Sequence, residues 1–281
     1  MVLVPSTDGV RVAVHDLGGS EGAPPIVFAH ATGFHGRVFQ PCVDAGLDSS
    51  FRCVGADLRG HGDSEIPDEL DFAWRGFRDD VLAVLDHVGA PAGGVFGVGH
   101  SMGGAALLMA ELARPGTFAS LYLFEPIVPP PMQLQLAQPN PMAEAAERRR
   151  EVFPSIDHAV ANYASKPPLN RLRADALHAY VEHGFAPMSD GTVRLKCRGA
   201  SEAATFRMAG SHDTYAELGQ IRCPVTIAMG TAMELGPAAF APGAAEALPH
   251  GRLEAFPHLG HFGPLEAPPE VAAAIAEAFS S

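Results

Sequence analysis

Short apolar runs alternate with amphipathic stretches along most of the chain. Residues 10–17 alternate in polarity as a half-buried strand does. Apolar runs of strand length follow at 26–29, 53–56, 95–98, 121–124, 225–229 and 253–256. Between them, one helical face carries Phe77, Val81, Val84, Leu85 and Val88, and helical stretches lie near 102–114, 240–248 and 269–279. This alternation predicts a mainly parallel sheet with helices on both sides.

The alternation stops between about residues 127 and 210. Prolines at 126 and 129–131 end the strand pattern, helices are predicted near 141–153, 156–164 and 170–183, and no buried strand is expected before Val225. We therefore predict that residues 127–210 form a helical cap over the carboxyl edge of the sheet, and that residues 1–126 and 211–281 build one α/β core. A Pro-rich linker to a second domain is the alternative, but the sheet pattern resumes after the segment.

Composition and charge narrow the functional class. With 281 residues, 47% of them hydrophobic, the chain can form one large α/β domain with an insertion. Its net charge of −13 argues against a nucleic-acid partner, because such partners bind basic surfaces. Neither a stretch of membrane-spanning length nor a signal peptide is apparent, so we expect a cytoplasmic protein without a membrane partner. The oligomeric state is not specified by the sequence.

The cysteines and histidines do not have metal-site spacing. Cys42, Cys53, Cys197 and Cys223 form no C-x-x-C pair and are predicted to be isolated thiols. The chain lacks an H-E-x-x-H motif, and the H-x-x-H at 258–261 supplies only two ligands. We therefore predict neither a metal nor another cofactor.

The most specific motif is G-x-S-x-G, present as GHSMG at residues 99–103. An apolar run precedes it and an Ala/Leu-rich stretch follows it, which is the strand-turn-helix setting that a nucleophile elbow requires. A sharp turn of this kind exposes the serine hydroxyl to a base and to backbone N–H groups. Ser101 is therefore the predicted nucleophile, and an ordinary Gly-rich loop is the alternative interpretation.

The same glycines do not fit a phosphate-binding loop. A G-x-G-x-x-G motif starting at Gly97 would end on Met102. A Walker A lysine is absent, because the only lysines of the chain are Lys166 and Lys196.

Three segments make the chain resemble the α/β-hydrolase superfamily: GHSMGG at 99–104, DLRGHGDS at 57–64 and GHF at 260–262. The resemblance covers nearly the whole chain outside the predicted cap. It implies an α/β-hydrolase fold, with a mostly parallel eight-stranded sheet flanked by helices and a helical cap insertion. Epoxide hydrolases and haloalkane dehalogenases of the superfamily have Asp at the elbow, so Ser101 argues against both activities.

The base is expected after the last strand, because active sites of doubly wound sheets lie at the carboxyl ends of strands. His261 lies between the last predicted strand and the last predicted helix, and the resemblance assigns it as the catalytic histidine. The alternative, His258, is closer to the strand and lacks the Gly-His-Phe context.

An oxyanion hole needs two N–H donors directed at the carbonyl oxygen. The resemblance assigns the first to the backbone of Met102, which follows the nucleophile. It assigns the second to the loop after residues 26–29, where the superfamily usually has His-Gly and this chain has HATGF at 30–34. Matching from His30 gives Thr32, and the departure at Ala31 leaves Gly33 open.

The acid has two candidates. Many relatives carry Asp three residues past a glycine that ends the penultimate strand, but here Met233 occupies that position, next to Glu234. Glu125 ends the strand at 121–124, and some superfamily members have their acid after that strand. We predict Glu125 and keep Glu234 as the alternative, whereas Asp57 is interpreted as structural.

Together these residues predict a serine hydrolase that works through an acyl-enzyme, and the resemblance implies a carboxylic ester or lactone as its substrate. The expected partner is a small, apolar, carbonyl-containing molecule, with Leu134 and Leu136 gating an apolar pocket. Two alternatives remain. One is a C–C bond hydrolase acting on a β-diketone or vinylogous ketone with the same triad, and the other is a non-catalytic ligand-binding member of the fold.

Overall fold

The computed structural model describes residues 1–89, 94–130, 140–231 and 236–280. Within them, the strands are β1 (Val2–Pro5), β2 (Arg11–Gly18), β3 (Pro25–Ala29), β4 (Arg52–Asp57), β5 (Val95–His100), β6 (Phe118–Phe124), β7 (Val152–Phe153), β8 (Phe185–Pro187), β9 (Val193–Leu195), β10 (Val225–Gly230) and β11 (Gly251–Phe256).

The α-helices of the same residues are α1 (Gln40–Val43), α2 (Trp74–Val88), α3 (Met102–Ala113), α4 (Pro141–Glu147), α5 (Ile156–Ala164), α6 (Ala174–Gly184), α7 (Gly199–Arg207), α8 (Thr214–Glu217), α9 (Ala241–Ala247), α10 (Gly263–Glu266) and α11 (Pro268–Ser280). Short 3-10 helices lie at Thr7–Gly9, Gly36–Phe39, Leu47–Ser49, Leu169–Arg171, Leu218–Gln220 and Pro237–Phe240. Among the described helices, none is both long enough and apolar enough to cross a bilayer.

Eight strands form the central sheet, in the order β1-β2-β4-β3-β5-β6-β10-β11. β2 pairs antiparallel with both β1 and β4, and the other strands pair in parallel. The prediction of a mostly parallel eight-stranded sheet is confirmed. Each of the seven apolar segments predicted as strands overlaps one of these strands, and β1 is the one that the apolar pattern did not indicate.

Both faces of the sheet are buried, which is why its inner strands appear in the sequence as continuous apolar runs. In β3, Val27 and Ala29 belong to the hydrophobic cluster that contains α2 and α3, whereas Ile26 and Phe28 belong to the cluster that contains α1 and α11. The face of α2 predicted from its spacing packs into the first cluster. Alternate side chains of one strand therefore anchor helices on opposite sides.

The segment between β6 and β10 is only partly helical. Helices α4, α5 and α6 correspond to the three predicted helices, but β7, β9 and β8 also form a small antiparallel sheet in that order. The expectation of no buried strand before Val225 is therefore wrong, because Phe153, Phe185 and Leu195 of these strands are buried. These strands have two or three residues each, so they are too short to show a period of two in the sequence. The boundaries of the predicted cap, 127–210, stay a prediction.

A buried ion pair fixes the loop after β4 against α2. The side chains of Arg59 and Asp80 are both fully buried. Arg59 donates from its backbone N–H and from Nε to Oδ2 of Asp80, at 2.8 and 3.0 Å, and from Nη2 to Oδ1 at 2.9 Å. Ser6 adds a fourth bond to the same carboxylate, at 2.7 Å. Arg59 also pairs with the exposed Asp8, from Nη1 to Oδ2 at 2.9 Å, so loss of Asp80 leaves the buried guanidinium with an anionic partner only at the surface.

We expect Asp80→Ala to lower the free energy of unfolding by about 3–5 kcal/mol, because the Arg59 guanidinium stays buried without the Asp80 carboxylate. The matched control is Asp86→Ala on the same helix, which removes an exposed pair with Arg114 and is expected to cost about 1 kcal/mol or less. Urea unfolding of both variants measures the difference. Equal losses would contradict the role given to Asp80.

Two buried histidines flank the loop that follows β3. The Leu58 N–H donates to Nε2 of His30 at 3.0 Å, and Nδ1 of His30 donates to the carbonyl of Ala31 at 2.8 Å, so this ring must be neutral. Burial and the neighbouring His61 lower the pKa of His30 to about 3. Burial likewise lowers the pKa of His35 to about 4.

These shifts predict that stability falls with acid. Between pH 6.5 and pH 4 the unfolded chain binds protons at these histidines that the folded chain does not, so the free energy of unfolding decreases as pH falls. Each histidine contributes a slope of up to about 1.4 kcal/mol per pH unit. The amide oxygen of His30→Gln can still accept the Leu58 N–H. We expect this variant to reduce the slope of the free energy of unfolding against pH by roughly the contribution of one proton. The exposed His178→Gln is the control, and the same flattening there would contradict the assignment.

Candidate active site

Ser101 lies in a strained turn between β5 and α3. Its backbone angles, φ 55° and ψ −115°, are in a region that side-chain-bearing residues rarely occupy. The Ser101 N–H donates to the carbonyl of Phe124 at 2.9 Å, and the Ser101 carbonyl accepts from Ile127 at 3.2 Å, so the turn is fixed to the end of β6. At Gly103, a Cβ atom would lie 2.1 Å from the Ala29 carbonyl oxygen, so only glycine fits there.

Glu125 and His261 are in direct contact. Nδ1 of His261 is 2.6 Å from Oε2 of Glu125, and Glu125 is only 1% exposed. The other carboxylate oxygen accepts from the Gly230 N–H at 2.9 Å, and the Glu125 N–H donates to Ala228 at 2.8 Å. The carboxylate is thus fixed at the adjoining ends of β6 and β10. Because an ionised carboxylate only accepts, His261 carries its proton on Nδ1 and leaves Nε2 as the basic nitrogen.

His100, directly before the nucleophile, connects the elbow to the His261 loop. Its Nε2 donates to the His261 carbonyl oxygen at 2.7 Å, and the two imidazole rings are 4.9 Å apart. Burial, and after it the neighbouring His261 imidazole, holds the pKa of His100 well below its usual range, so it donates as a neutral ring. The sequence analysis missed this contact, because residue 100 is the variable position of the motif and its partner is 161 residues away.

The candidate oxyanion donors lie at the start of α3 and in the turn after β3. Met102 is the first residue of α3, where a backbone N–H has no partner within the helix. Thr32 and Gly33 form a tight turn after β3 that is closed by a 3.1 Å bond from the Phe34 N–H to the Ala31 carbonyl. Gly33 has φ +85°, and both Thr32 and Gly33 border the same cleft, so the alternative between them stays open.

That cleft has a volume of about 200 Å³ and reaches from the Thr32 turn to Phe262, the neighbour of His261. Its apolar walls include Phe34, Met142, Leu169, Phe206 and Phe262. Its polar part comes from Arg149, Tyr180 and Glu202 of the segment between β6 and β10, which the sequence analysis did not single out.

Other predicted positions fall elsewhere. Leu134, Leu136 and Glu234 lie outside the described residues. His258, the alternative base, is exposed and pairs with Glu270, with Nε2 at 2.9 Å from Oε2.

Asp57 belongs to the one described group of side chains that could hold a metal ion, together with His15 and Asp63. Its oxygens accept from the Gly36 N–H at 2.7 Å, from His15 Nε2 at 2.8 Å and from the Asp63 N–H at 2.7 Å. Against the effect of burial, the hydrogen bond from His15 holds the pKa of Asp57 far below its usual range. Nζ of Lys196 forms an ion pair with Oδ1 of Asp63 at 2.7 Å. These contacts favour a structural role.

Comparison with known proteins places this geometry in a family. The profile of the alpha/beta hydrolase family matches residues 26–274. The chain is 32% identical over 120 residues to 3-oxoadipate enol-lactonase 1 of Acinetobacter baylyi, a match that spans 43% of each chain. It is 27% identical to a non-heme chloroperoxidase of Streptomyces lividans, over 96% of each chain.

A likeness in structure supports the same fold. The crystal structure of E-2-(acetamidomethylene)succinate hydrolase superposes with a TM-score of 0.82 over 99% of each chain, at 22% identity. The family profile covers far more than half of the chain, and the sheet order and the strained elbow are consistent with it. The chain therefore belongs to the alpha/beta hydrolase family.

Proposed function

We propose that the protein is a serine hydrolase that cleaves a carboxylic ester or lactone through an acyl-enzyme, with Ser101, His261 and Glu125 as its triad. The observation that carries the proposal is the 2.6 Å contact between Glu125 and His261 at the sheet edge where Ser101 occupies its strained turn. A histidine oriented by a buried carboxylate, on a loop bonded to the residue before a serine in a strained turn, supports the activation of that hydroxyl for acyl transfer.

The residues then act in the following order. Nε2 of His261 takes the Ser101 proton while Oγ attacks the carbonyl carbon, and Glu125 stabilises the imidazolium that forms. The backbone N–H groups of Met102 and of Thr32 or Gly33 bind the oxyanion. His261 protonates the leaving oxygen, the acyl group stays on Ser101, and a water activated by His261 releases the acid.

The cleft favours a compact apolar acyl group. Its volume of about 200 Å³ exceeds the roughly 150 Å³ of a cavity known to accept benzene. Aromatic rings of Phe34 and Phe262 lie 5.3 Å apart at its inner end and offer flat apolar contact. The partial match to an enol-lactonase is consistent with a cyclic ester among the substrates. We also propose that residues 127–210 act as the cap that forms one side of this cleft.

We expect Ser101→Ala to lower kcat by about 10,000-fold or more, because the nucleophile is removed while the sheet is unchanged. Turnover is measured on aryl esters, lactones and β-diketones, and a fluorophosphonate adduct is located by mass spectrometry. The control is Ser120→Ala, a serine on β6 that bonds to the Pro224 carbonyl. An adduct that forms equally well on the Ser101→Ala variant would refute the assignment. Turnover of the diketones alone would instead establish C–C hydrolysis.

Glu125→Gln is expected to lower kcat by roughly 1,000- to 10,000-fold with little change in KM. The amide can still accept from Gly230, but its NH₂ group facing Nδ1 favours the imidazole tautomer with the proton on Nε2, which cannot accept the serine proton. Glu234→Gln is the comparison variant and is expected to retain activity. If Glu234→Gln is inactive and Glu125→Gln is active, the acid has been assigned to the wrong residue.

A further inference from the structure

The turn that carries Thr32 and Gly33 is held by side chains of the segment between β6 and β10. We propose that Glu202 and Arg149 act as a charge-neutral pair of positioning residues that fixes this turn for oxyanion binding. The inference rests on the proposed function, because it concerns the oxyanion donors of that reaction.

The Glu202 carboxylate lies directly against Gly33. A Cβ atom built on Gly33 would be 2.4 Å from Oε1 of Glu202 and 3.1 Å from its Cδ. Gly33 already needs a positive φ of 85°, so its backbone is confined both by its own conformation and by this carboxylate. Movement of Glu202 would therefore release one side of the turn.

The Glu202 carboxylate is itself fixed by Arg149. It is 8% exposed and forms an ion pair with Nη1 of Arg149, whose side chain is 17% exposed. Nη2 of Arg149 donates to the hydroxyls of Tyr180 at 2.8 Å and Tyr163 at 3.1 Å. The guanidinium is thus bonded to three side chains from α5, α6 and α7, which leaves the carboxylate little freedom.

The same network contacts the next two residues of the turn. The Tyr180 ring packs on Phe34, with centroids 4.9 Å apart. Nε2 of His35 donates to the Tyr180 carbonyl at 3.1 Å. Three successive residues, 33 to 35, therefore each contact Glu202 or Tyr180, and Arg149 binds both of these.

Charge explains why a pair is needed. A lone carboxylate at Gly33 would repel the oxyanion that develops on the substrate. Arg149 balances that charge, because its guanidinium pairs with the Glu202 carboxylate. Its Nη1 would also lie 3.6 Å from a Cβ atom built on Gly33, so the positive charge is close to the turn. The carboxylate can then confine the turn without opposing the reaction.

Four variants test this inference: Arg149→Met, Glu202→Gln, the double variant with both changes, and the control Arg207→Met. Arg207 lies on α7, as Glu202 does, and pairs with Glu147 of α4 at an exposed site. kcat and KM are measured on a neutral aryl ester and on an aryl ester that carries a carboxylate, and the active-site concentration is set by fluorophosphonate titration. That titration removes the effect of any unfolded fraction from kcat.

We expect Arg149→Met to lower kcat by roughly 100-fold, within the range for loss of one oxyanion donor, because it leaves an unpaired carboxylate at the turn. Glu202→Gln is expected to lose about 10-fold, and the double variant to recover much of the Arg149→Met loss, since the charge is gone. KM should stay within about threefold and Arg207→Met should match wild type. If Arg149→Met does not fold, Glu202→Gln and the double variant carry the test.

Values of kcat within twofold of wild type in both Glu202→Gln and Arg149→Met would overturn the inference, and where Arg149→Met does not fold, such a value in Glu202→Gln alone would do so. So would a rise in KM confined to esters that carry a carboxylate, because Arg149 would then bind substrate. These outcomes leave the proposed function intact when wild type is labelled at Ser101. A wild-type protein that is neither labelled nor active would refute the proposed function, and the inference with it.

Discussion

The buried carboxylate of Glu125 is the group on which the candidate active-site edge of the sheet depends. Its own N–H bonds to β10, one oxygen accepts from the end of β10, and the other binds His261. Since almost none of it reaches solvent, these donors are what stabilise its charge. The strand order makes this possible, because β6 lies between β5, which leads into Ser101, and β10, which contacts the His261 loop.

Neutral imidazoles hold the surrounding loops. His30, His35 and His100 are all buried with lowered pKa values, and they bond to the backbone of Leu58 after β4, of Tyr180 in α6 and of His261 respectively. As neutral rings they fix these loops without placing further positive charge beside His261. The same burial connects the fold to pH, since protonation of His30 would break its bond with Leu58.

The core and the segment between β6 and β10 contribute different things to the cleft. Thr32, Gly33, Phe34 and Phe262 of its lining come from loops of the core, whereas Arg149, Tyr180 and Glu202 come from that segment. The relatives that the chain resembles have names as different as a lactonase and a chloroperoxidase, so the shared fold does not select a substrate. Selection is expected from the walls of the cleft, where the inserted segment lies.

The sequence alone determined the features that arise within a few residues. Strands buried on both faces need apolar runs, and a strained elbow needs glycines beside the serine, so the inner strands and the GHSMG turn were predictable. Strand β1 and the strands of the small sheet exist through pairing, β1 with β2, β8 with β9, and β7 with the more distant β9, and their short segments carry no period of their own. The contact of Glu125 with His261 spans 136 residues, and that of Arg149 with Glu202 spans 53. Only the tertiary structure decides such contacts, because they depend on strand order and packing rather than on local spacing.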